Sequence, residues 1–408
     1  MNNLDATATI PCNLCGGTQV SVVGTRSRSG AAMRSVCCKA CGLVWVDPRP
    51  HQARQFYTED YRLAYKNAFE PRARHVLRAG HVALDRLNKV RPLLAGRMRI
   101  LDVGSGGGEF AYLLKGMGHE VVGIEPNRGY GTFAATQYGL DVRAGFVGDF
   151  ELPKGGFDLI TIWHVLEHTE DPGAVLLQLR GALRPGGRLV VEVPNIEATC
   201  QSPGSTFHEA HIFTFGQPTL AALGRKQGLE SLDARLSEDG GNLTMTFANE
   251  ADARVPGYHE HVTATIAAHT PWRHALTAHP WRRAIGRFGR RIGESLQLRH
   301  GLNGKALLDR LYAKALSGTA AGTPAFRPGW QWLAGAYLLA VAAEEVLVDR
   351  VLPAASLSST QAIGVYAALQ LAVALGLLTL VGTRPKSARD LLKFGGWAAP
   401  LFVVPAVC

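Results

Sequence analysis

Three glycines at alternate positions, Gly104, Gly106 and Gly108, follow a short apolar segment. Glycine lets the backbone turn sharply and approach a ligand where a Cβ would collide. A second apolar segment, residues 121–124, ends at Glu125, whose carboxylate can accept hydrogen bonds from both hydroxyls of a ribose. Together the glycines and the carboxylate indicate a site for a ligand that contains a nucleoside.

The residue after the glycine loop narrows the choice of nucleoside. Dinucleotide sites use G-x-G-x-x-G and place a pyrophosphate at a helix N-terminus. Here the loop is Gly104-Ser105-Gly106-Gly107-Gly108, and Glu109, which follows it, would repel a diphosphate. The spacing therefore favours S-adenosylmethionine (SAM), which carries an amino acid and a sulfonium where NAD carries phosphates.

A parallel α/β sheet is needed to position these residues. Residues 100–103 and 121–124 suit strands that are covered on both faces, and ligands of such sheets lie at the carboxyl ends of the strands. Asp102, within the first strand, and His164, after a later strand, are added to the predicted cofactor site. The alternatives are that Asp102 organises the loop and that His164 caps a helix.

Four motifs between residues 100 and 195 occur in an order that resembles the class I SAM-dependent methyltransferases. The glycine loop is the first. Residues 157–168 resemble the fourth strand of that fold and the helix after it, and residues 183–195 resemble its Leu-x-Pro-Gly-Gly turn and fifth strand. Gly148-Asp149-Phe150 resembles the loop that places a carboxylate near the adenine amine and an apolar side chain on its face. The resemblance implies a Rossmann-like seven-stranded sheet with SAM as cofactor.

Two Cys-x-x-Cys pairs near the N-terminus indicate a metal site. Cys12, Cys15, Cys38 and Cys41 can present four thiolates tetrahedrally, as structural zinc requires, and Cys37 is a possible substitute ligand. A disulfide is a poor alternative in a reducing cytosol, and a redox pair usually occurs singly. A nucleic-acid-binding zinc ribbon is the rival function, although the segment carries few basic residues.

The last cysteine begins the string Cys41-Gly-Leu-Val-Trp-Val-Asp-Pro-Arg-Pro50, which is followed by Phe56-Tyr57-x-x-Asp60-Tyr61. These residues resemble a small zinc-binding domain that precedes the catalytic fold in a group of bacterial methyltransferases, including deoxysugar C-methyltransferases. In that group the module helps to cover the acceptor site. The resemblance makes Tyr57 and Tyr61 candidate acceptor contacts. Both can equally be aromatic core residues of the junction between the two domains.

A histidine-rich segment, residues 207–215, resembles the element that such enzymes place over the acceptor. Methyl transfer to a hydroxyl or an enolisable carbon requires a proton to be removed, which a histidine can do near neutral pH. His211 is the first candidate base, and Glu209 and His208 complete the predicted catalytic set. Sugar C-methyltransferases have Glu directly before this histidine, whereas Ala210 stands there, which argues against C-methylation. A histidine that only hydrogen-bonds its own loop is an equal alternative to the catalytic base.

Residues His164, Glu167 and His168 form a competing constellation. They resemble the Glu-x-x-Glu-His element with which ubiquinone-biosynthesis O-methyltransferases hold a divalent metal near a phenolic acceptor, except that His164 replaces the first glutamate. Because Val-Leu-Glu-His strings also occur in methyltransferases without a catalytic metal, packing and helix-start roles are favoured over metal binding.

The composition predicts a globular protein with two or three units. The chain has 408 residues, of which 47% are hydrophobic, and its net charge is +10. Most of this charge lies in residues 271–314, which contain ten Arg or Lys and only two acidic residues, Glu294 and Asp309. The N-terminus lacks the charged head and apolar run of a secretory signal, so a cytoplasmic catalytic part is expected. The predicted division is a zinc ribbon over 1–60, a methyltransferase domain over 61–250, a basic amphipathic linker over 251–329 and a hydrophobic tail over 330–408.

The carboxy-terminal third is expected to associate with a membrane. Trp281, Ile285, Phe288 and Ile292 recur at helical spacing opposite several arginines, as in a helix on an anionic surface, or in an ordinary solvated helix. Residues 362–383 carry no charge and are long enough to cross a ~30 Å hydrocarbon layer. The basic residues that follow place the chain at the cytoplasmic face of the cell membrane. A buried helical hairpin at an oligomer interface is the alternative.

These expectations define a SAM-dependent methyltransferase that acts on a membrane-associated or lipid-linked sugar, glycan or envelope lipid. The expected partners are that acceptor and the membrane, with no nucleic acid, and the oligomeric state is left open. One alternative is an O-methyltransferase of a phenol or quinone precursor. The other is a zinc-ribbon nucleic-acid binder with a vestigial cofactor fold, which would need stacking aromatics within the basic stretch.

Overall fold

The computed structural model describes residues 5–49, 71–249, 257–298 and 303–317. Tyr57 and Tyr61, the expected membrane span at 362–383 and the rest of the tail lie outside these residues. Within them, no helix is long and apolar enough to cross a membrane.

The first part of the chain folds into a small antiparallel sheet. Its strands are β1 (Asp5–Thr7), β2 (Gln19–Arg26), β3 (Ala32–Cys38) and β4 (Val44–Val46). A fifth strand, β10 (Phe213–Thr214), comes from the histidine-rich segment and pairs with β4, with Phe213 opposite Trp45. The amino-terminal module and the histidine-rich segment therefore share one sheet.

The second sheet has seven strands, as the sequence predicts. They are β5 (Arg99–Val103), β6 (Glu120–Glu125), β7 (Asp141–Ala144), β8 (Phe157–Trp163), β9 (Leu183–Pro194), β11 (Glu230–Leu236) and β12 (Asn242–Ala248). Their order in the sheet is β11-β12-β9-β8-β5-β6-β7. The five strands β5 to β9 run parallel, and β12 pairs antiparallel with β9 and β11. Strand β12 ends at Ala248, close to residue 250, where the sequence-based division places the end of this domain.

Helices cover this sheet at the positions that parallel crossovers require. They are α1 (Ala73–Val90), α2 (Glu109–Gly116), α3 (Arg128–Tyr138), α4 (Pro172–Ala182) and α5 (Gln217–Lys226). Residues 157–168 differ from the expected strand and helix, because β8 ends at Trp163, Leu166–His168 form a single 3₁₀ turn, and α4 begins only at Pro172. Asp171 caps α4 by accepting the amide of Ala174.

Where the sequence predicts a linker, the described residues form four further helices: α6 (His259–Ala268), α7 (Pro271–Ala275), α8 (His279–Gln297) and α9 (Gly304–Leu316). Helix α9 returns to the core, because Leu308 and Tyr312 are fully buried against α1 and the Tyr312 hydroxyl donates to the Glu109 carbonyl at 3.0 Å. Part of the predicted linker thus supports the methyltransferase-like sheet.

Helix α8 confirms the expected helix through Trp281 and Ile292. Among the described residues, 281–291 belong to a second unit, and the others form the first. Arg282, Arg283, Arg287 and Arg290 are exposed on this helix, in keeping with the basic face that the sequence predicts.

Candidate active site

A cavity of about 630 Å³ opens at the carboxyl ends of β5, β6 and β8. This is the edge of an open α/β sheet where ligands bind. Its walls come from the glycine loop, from the end of β6, from the segment after β8 and from one side of α1. The cavity is within the range of sites that hold a cofactor or a drug-sized molecule.

The glycine loop forms one wall of the cavity through Gly104, Ser105 and Gly106. Gly104 has φ +72°, and a Cβ there would lie 2.2 Å from Val165 Cγ2, so a larger residue cannot keep this backbone. Gly108, a predicted cofactor contact, is absent from the described cavity lining. It has φ +84° at the start of α2 and packs against Ala134, where a Cβ would lie 2.7 Å from that methyl group.

Glu125 occupies the position predicted for a ribose-binding carboxylate. It lines the cavity, is 3% exposed, and accepts the amide of Gly106 at 2.8 Å through Oε2 and that of Asn127 at 3.1 Å through Oε1. A carboxylate has about four acceptor positions, so it can accept ribose hydroxyls in addition to these two amides. The two hydrogen bonds also fix the carboxylate against the glycine loop.

Asp102 lies beneath the loop and is absent from the described cavity lining. It is fully buried, and Oδ1 accepts the Thr161 hydroxyl at 2.8 Å. Burial raises the pKa of Asp102 to about 6, while the Arg86 guanidinium and the Thr161 hydrogen bond oppose the rise. This placement favours the loop-organising alternative over direct contact with the cofactor.

Asp149 and Phe150, which the resemblance predicts beside the adenine, are absent from the described cavity lining. Asp149 accepts the amide of Phe146 at 2.8 Å, and Phe150 packs against the hydrophobic core. Within the described chain, the cavity is lined here by residues 145–148 instead. Phe146, which directly follows a glycine at the end of β7, was a sequence signal for this apolar contact.

Helix α1 supplies a wall that sequence reasoning missed. His75, Arg78, Ala79, Val82 and Arg86 line the cavity at helical spacing. The Arg86 guanidinium lies 5.1 Å from the centre of the Trp163 ring, within cation–π range, and burial lowers its pKa without neutralising it. Arg78 is held by a two-pronged ion pair with the buried Glu294.

His164, a predicted cofactor contact, lies at the carboxyl end of β8 and lines the cavity. Its φ of 55° is unusual for a residue other than glycine. Nδ1 lies 3.3 Å from Glu167 Oε1 and Nε2 lies 3.4 Å from Glu192 Oε1. Burial alone would lower the pKa of His164, but these two carboxylates raise it to about 9, so the ring is an imidazolium at neutral pH.

His208 and His211 lie together beside the cavity. Their rings stack at 4.5 Å, and the His211 ring is 4.8 Å from that of His168, which lines the cavity. Burial, and next the neighbouring His168, lower the pKa of His211 to about 3. The ring is therefore neutral and has a proton-accepting nitrogen at physiological pH, although it is a weak base in this state.

Glu209, the third residue of the predicted catalytic set, points elsewhere. Its carboxylate accepts the Ser27 hydroxyl at 2.6 Å and the Ser29 amide at 3.0 Å, both from a turn of the amino-terminal module. Burial would raise the pKa of Glu209, but these hydrogen bonds hold it at about 2. Glu209 thus anchors the histidine-rich segment to the module, a positioning role.

We expect the folded state to lose stability on acidification through His208. Its Nδ1 accepts the Ala210 amide at 2.9 Å, which requires the neutral ring, and burial followed by the charge of Arg28 lowers the pKa to about 4. The unfolded ring takes a proton near pH 6.5, so stability falls as the pH drops from about 6.5 towards 4. Thermal unfolding of His208→Asn, whose side-chain oxygen also accepts that amide, should depend less on pH over this range. An unchanged slope would contradict this role.

The four predicted metal-ligating cysteines come together in the amino-terminal module. The Sγ atoms of Cys12 and Cys41 are 3.5 Å apart, and so are those of Cys15 and Cys38. All four sulfurs lie within 4.8 Å of one another. Four thiolates about 2.3 Å from a tetrahedral zinc are about 3.8 Å apart, so the set fits structural zinc. Cys37 is outside the set, and its Sγ lies 3.6 Å from the Gly42 carbonyl oxygen.

Sequence comparison agrees with this geometry. Residues 73–234 match a family described as a methyltransferase domain. These residues form a class I SAM-dependent methyltransferase domain. The match spans the glycine loop, Glu125 and the histidine-rich segment, so the cavity lies within the methyltransferase domain.

Curated relatives match over this domain. They include a tRNA U34 carboxymethyltransferase of Dichelobacter nodosus, 36% identical over 34% of this chain and 46% of that protein. A ubiquinone biosynthesis O-methyltransferase of Azorhizobium caulinodans is 30% identical over 38% of this chain and 59% of that protein. A probable S-adenosylmethionine-dependent methyltransferase of Mycolicibacterium smegmatis is 28% identical over 43% of this chain and 72% of that protein. The chain thus spans about half the length of the first two relatives.

Proposed function

We propose that this protein transfers a methyl group from SAM to a membrane-associated or lipid-linked sugar, glycan or envelope lipid. The main support for methyl transfer is the cavity, which the glycine loop and Glu125 line together with His168 from the predicted acceptor side. SAM supplies an electrophilic methyl group, and the protein contributes mainly by aligning an acceptor with it.

The proposal for the acceptor rests on the carboxy-terminal sequence and on the exposed arginines of α8. An uncharged segment at 362–383 and a basic helix would keep the chain near anionic lipid, which brings the cavity to acceptors in that layer. Structural zinc in the amino-terminal module would hold β4, and through it the histidine-rich segment, beside the acceptor.

A phenol or quinone precursor is the second candidate acceptor. It is favoured by the relative named as a ubiquinone biosynthesis O-methyltransferase and by Glu167 and His168, which are next to the cavity here. The relative named for tRNA U34 makes RNA a third acceptor class to test.

Purified full-length protein incubated with methyl-labelled SAM and separated bacterial extracts distinguishes these acceptors. We expect label in the lipid extract, lost on competition with S-adenosylhomocysteine. Label confined to small phenols would support the second candidate, and label confined to RNA would overturn both. A Gly106→Arg protein treated in parallel gives the background for each extract.

A further inference from the structure

Two loops beside the cavity bring together a carboxylate and two imidazoles. Glu167 and His168 lie in the turn after β8, and His211 comes from the histidine-rich segment. One oxygen of Glu167 and one ring nitrogen of each histidine all lie within 4.8 Å of one another. The loops are fastened because the Ile212 amide donates to the Glu167 carbonyl at 2.8 Å.

The Glu167 carboxylate is deeply buried and incompletely satisfied. The residue is 1% exposed. Its Oε1 lies 3.3 Å from His164 Nδ1, whereas Oε2 has no hydrogen-bond partner within the described part of the chain. A buried carboxylate oxygen without a donor is costly, and a cation bound at that oxygen would remove the cost.

The histidines are arranged as metal ligands usually are. His168 Nδ1 lies 2.7 Å from the carbonyl oxygen of Ala210, so Nδ1 donates and the lone pair is on Nε2, 3.8 Å from Glu167 Oε1. Metal-ligating histidines commonly donate their other ring nitrogen to a backbone carbonyl in this way. The orientation of the His168 ring is thus fixed without a metal.

His164 is excluded from this set by its own contacts. Both of its ring nitrogens face carboxylates, Nδ1 towards Glu167 and Nε2 towards Glu192. A cation at Glu167 therefore has His211 as its third ligand, from a loop more than 40 residues along the chain. The ligand set differs from the His164, Glu167 and His168 trio that the sequence considers.

We propose that Glu167, His168 and His211 bind a first-row divalent transition-metal ion beside the cavity. Two imidazoles and one carboxylate suit such an ion better than Mg²⁺ or Ca²⁺, which prefer oxygen ligands, and three protein ligands leave positions open. Because His168 also lines the cavity, an acceptor oxygen can reach an open position. That use of the ion rests on the proposed methyl transfer, whereas the binding of the ion does not.

Cobalt(II) titration of full-length protein that carries one zinc ion per chain, in the thiolate site, tests the proposal. We expect one further equivalent of Co²⁺ to bind, with d–d absorption and without the sulfur-to-cobalt charge-transfer band of a thiolate site. His211→Asn should weaken this binding at least ~10-fold, since one ligand is lost. His164→Asn is the matched control, because asparagine tolerates the positive φ there, and it should bind Co²⁺ as tightly as the wild type or more tightly.

The proposal is overturned if the wild type binds no cobalt beyond the thiolate site, or if His211→Asn binds like the wild type. It is also overturned if His164→Asn loses the ion while His211→Asn keeps it. Circular dichroism and zinc content report whether each variant folds, and the cobalt titration of the wild type does not depend on either variant. Intact cobalt binding in a protein that does not bind SAM would overturn methyl transfer and leave the metal site.

Discussion

Replacing Gly106 with arginine is expected to weaken SAM binding at least ~100-fold. Gly106 lines the cavity with φ +60°, and its amide donates to Glu125 Oε2. Arginine would enter the space of the cofactor and bring a cation close to where the positively charged sulfonium binds. The αL backbone adds a conformational cost of about 1–2 kcal/mol. Calorimetric titration with SAM measures the loss.

Gly240→Arg is the matched control for this substitution. Gly240 has φ +72° and lies in the turn before β12, where an added Cβ would meet no atom of the described chain within 4 Å. The same residue in the same backbone conformation should therefore lower the thermal stability by a similar amount and leave SAM binding intact. Equal SAM affinity in the Gly106→Arg and Gly240→Arg proteins would show that the glycine loop does not face the cofactor.

Replacing Cys38 with serine is expected to release the metal and cause the largest loss of order in the amino-terminal module. Structural zinc supplies on the order of 10 kcal/mol of folding free energy in small zinc domains. The effect should reach the acceptor side, because β4 pairs with β10 and Trp45 lies opposite Phe213. Methyl transfer should fall about 100-fold, as expected for a displaced acceptor element, and SAM affinity should fall much less.

Cys37→Ser provides the comparison for that experiment. Cys37 is fully buried next to Cys38 but outside the cluster of four sulfurs. Burial of a hydroxyl should cost about 1–3 kcal/mol, whereas the zinc content, measured by metal analysis, should equal that of the wild type. Zinc retained by Cys38→Ser and lost by Cys37→Ser would mean that Cys37 is the ligand.

Local sequence patterns predicted the elements that surround the proposed cofactor site. The strand, glycine loop and helix around Gly106, and the strand that ends at Glu125, are set by burial on both sheet faces and by the need for positive φ. The cysteine cluster was also predictable from the two Cys-x-x-Cys pairs, because the short spacing itself brings two thiols to one side of a turn. These features depend on residues that are close in the chain.

The remaining parts of the site depend on contacts between distant residues. Glu209 has the chemistry of a catalytic group, but Ser27 and Ser29 hold its carboxylate at the amino-terminal module. The wall formed by α1 depends on α9, which packs Leu308 and Tyr312 against it from over 200 residues away. Neither contact leaves a periodicity or a motif within one segment of the sequence.

His164 shows why residue type alone did not assign a role. The sequence predicted a cofactor contact, and the ring does line the cavity. Two buried carboxylates, Glu167 and Glu192, nevertheless face its ring nitrogens, and Glu192 comes from the neighbouring strand β9. The charge of His164 therefore follows from the pairing of two strands, which the sequence does not specify locally.

Calorimetric titration of SAM into the wild-type full-length protein tests the central claim most directly. The structure predicts saturable binding of one SAM per chain in the cavity beside Gly106 and Glu125, with competition by S-adenosylhomocysteine. Absence of saturable SAM binding to protein that is folded and zinc-loaded would contradict the assignment of the cavity as a methyl-donor site.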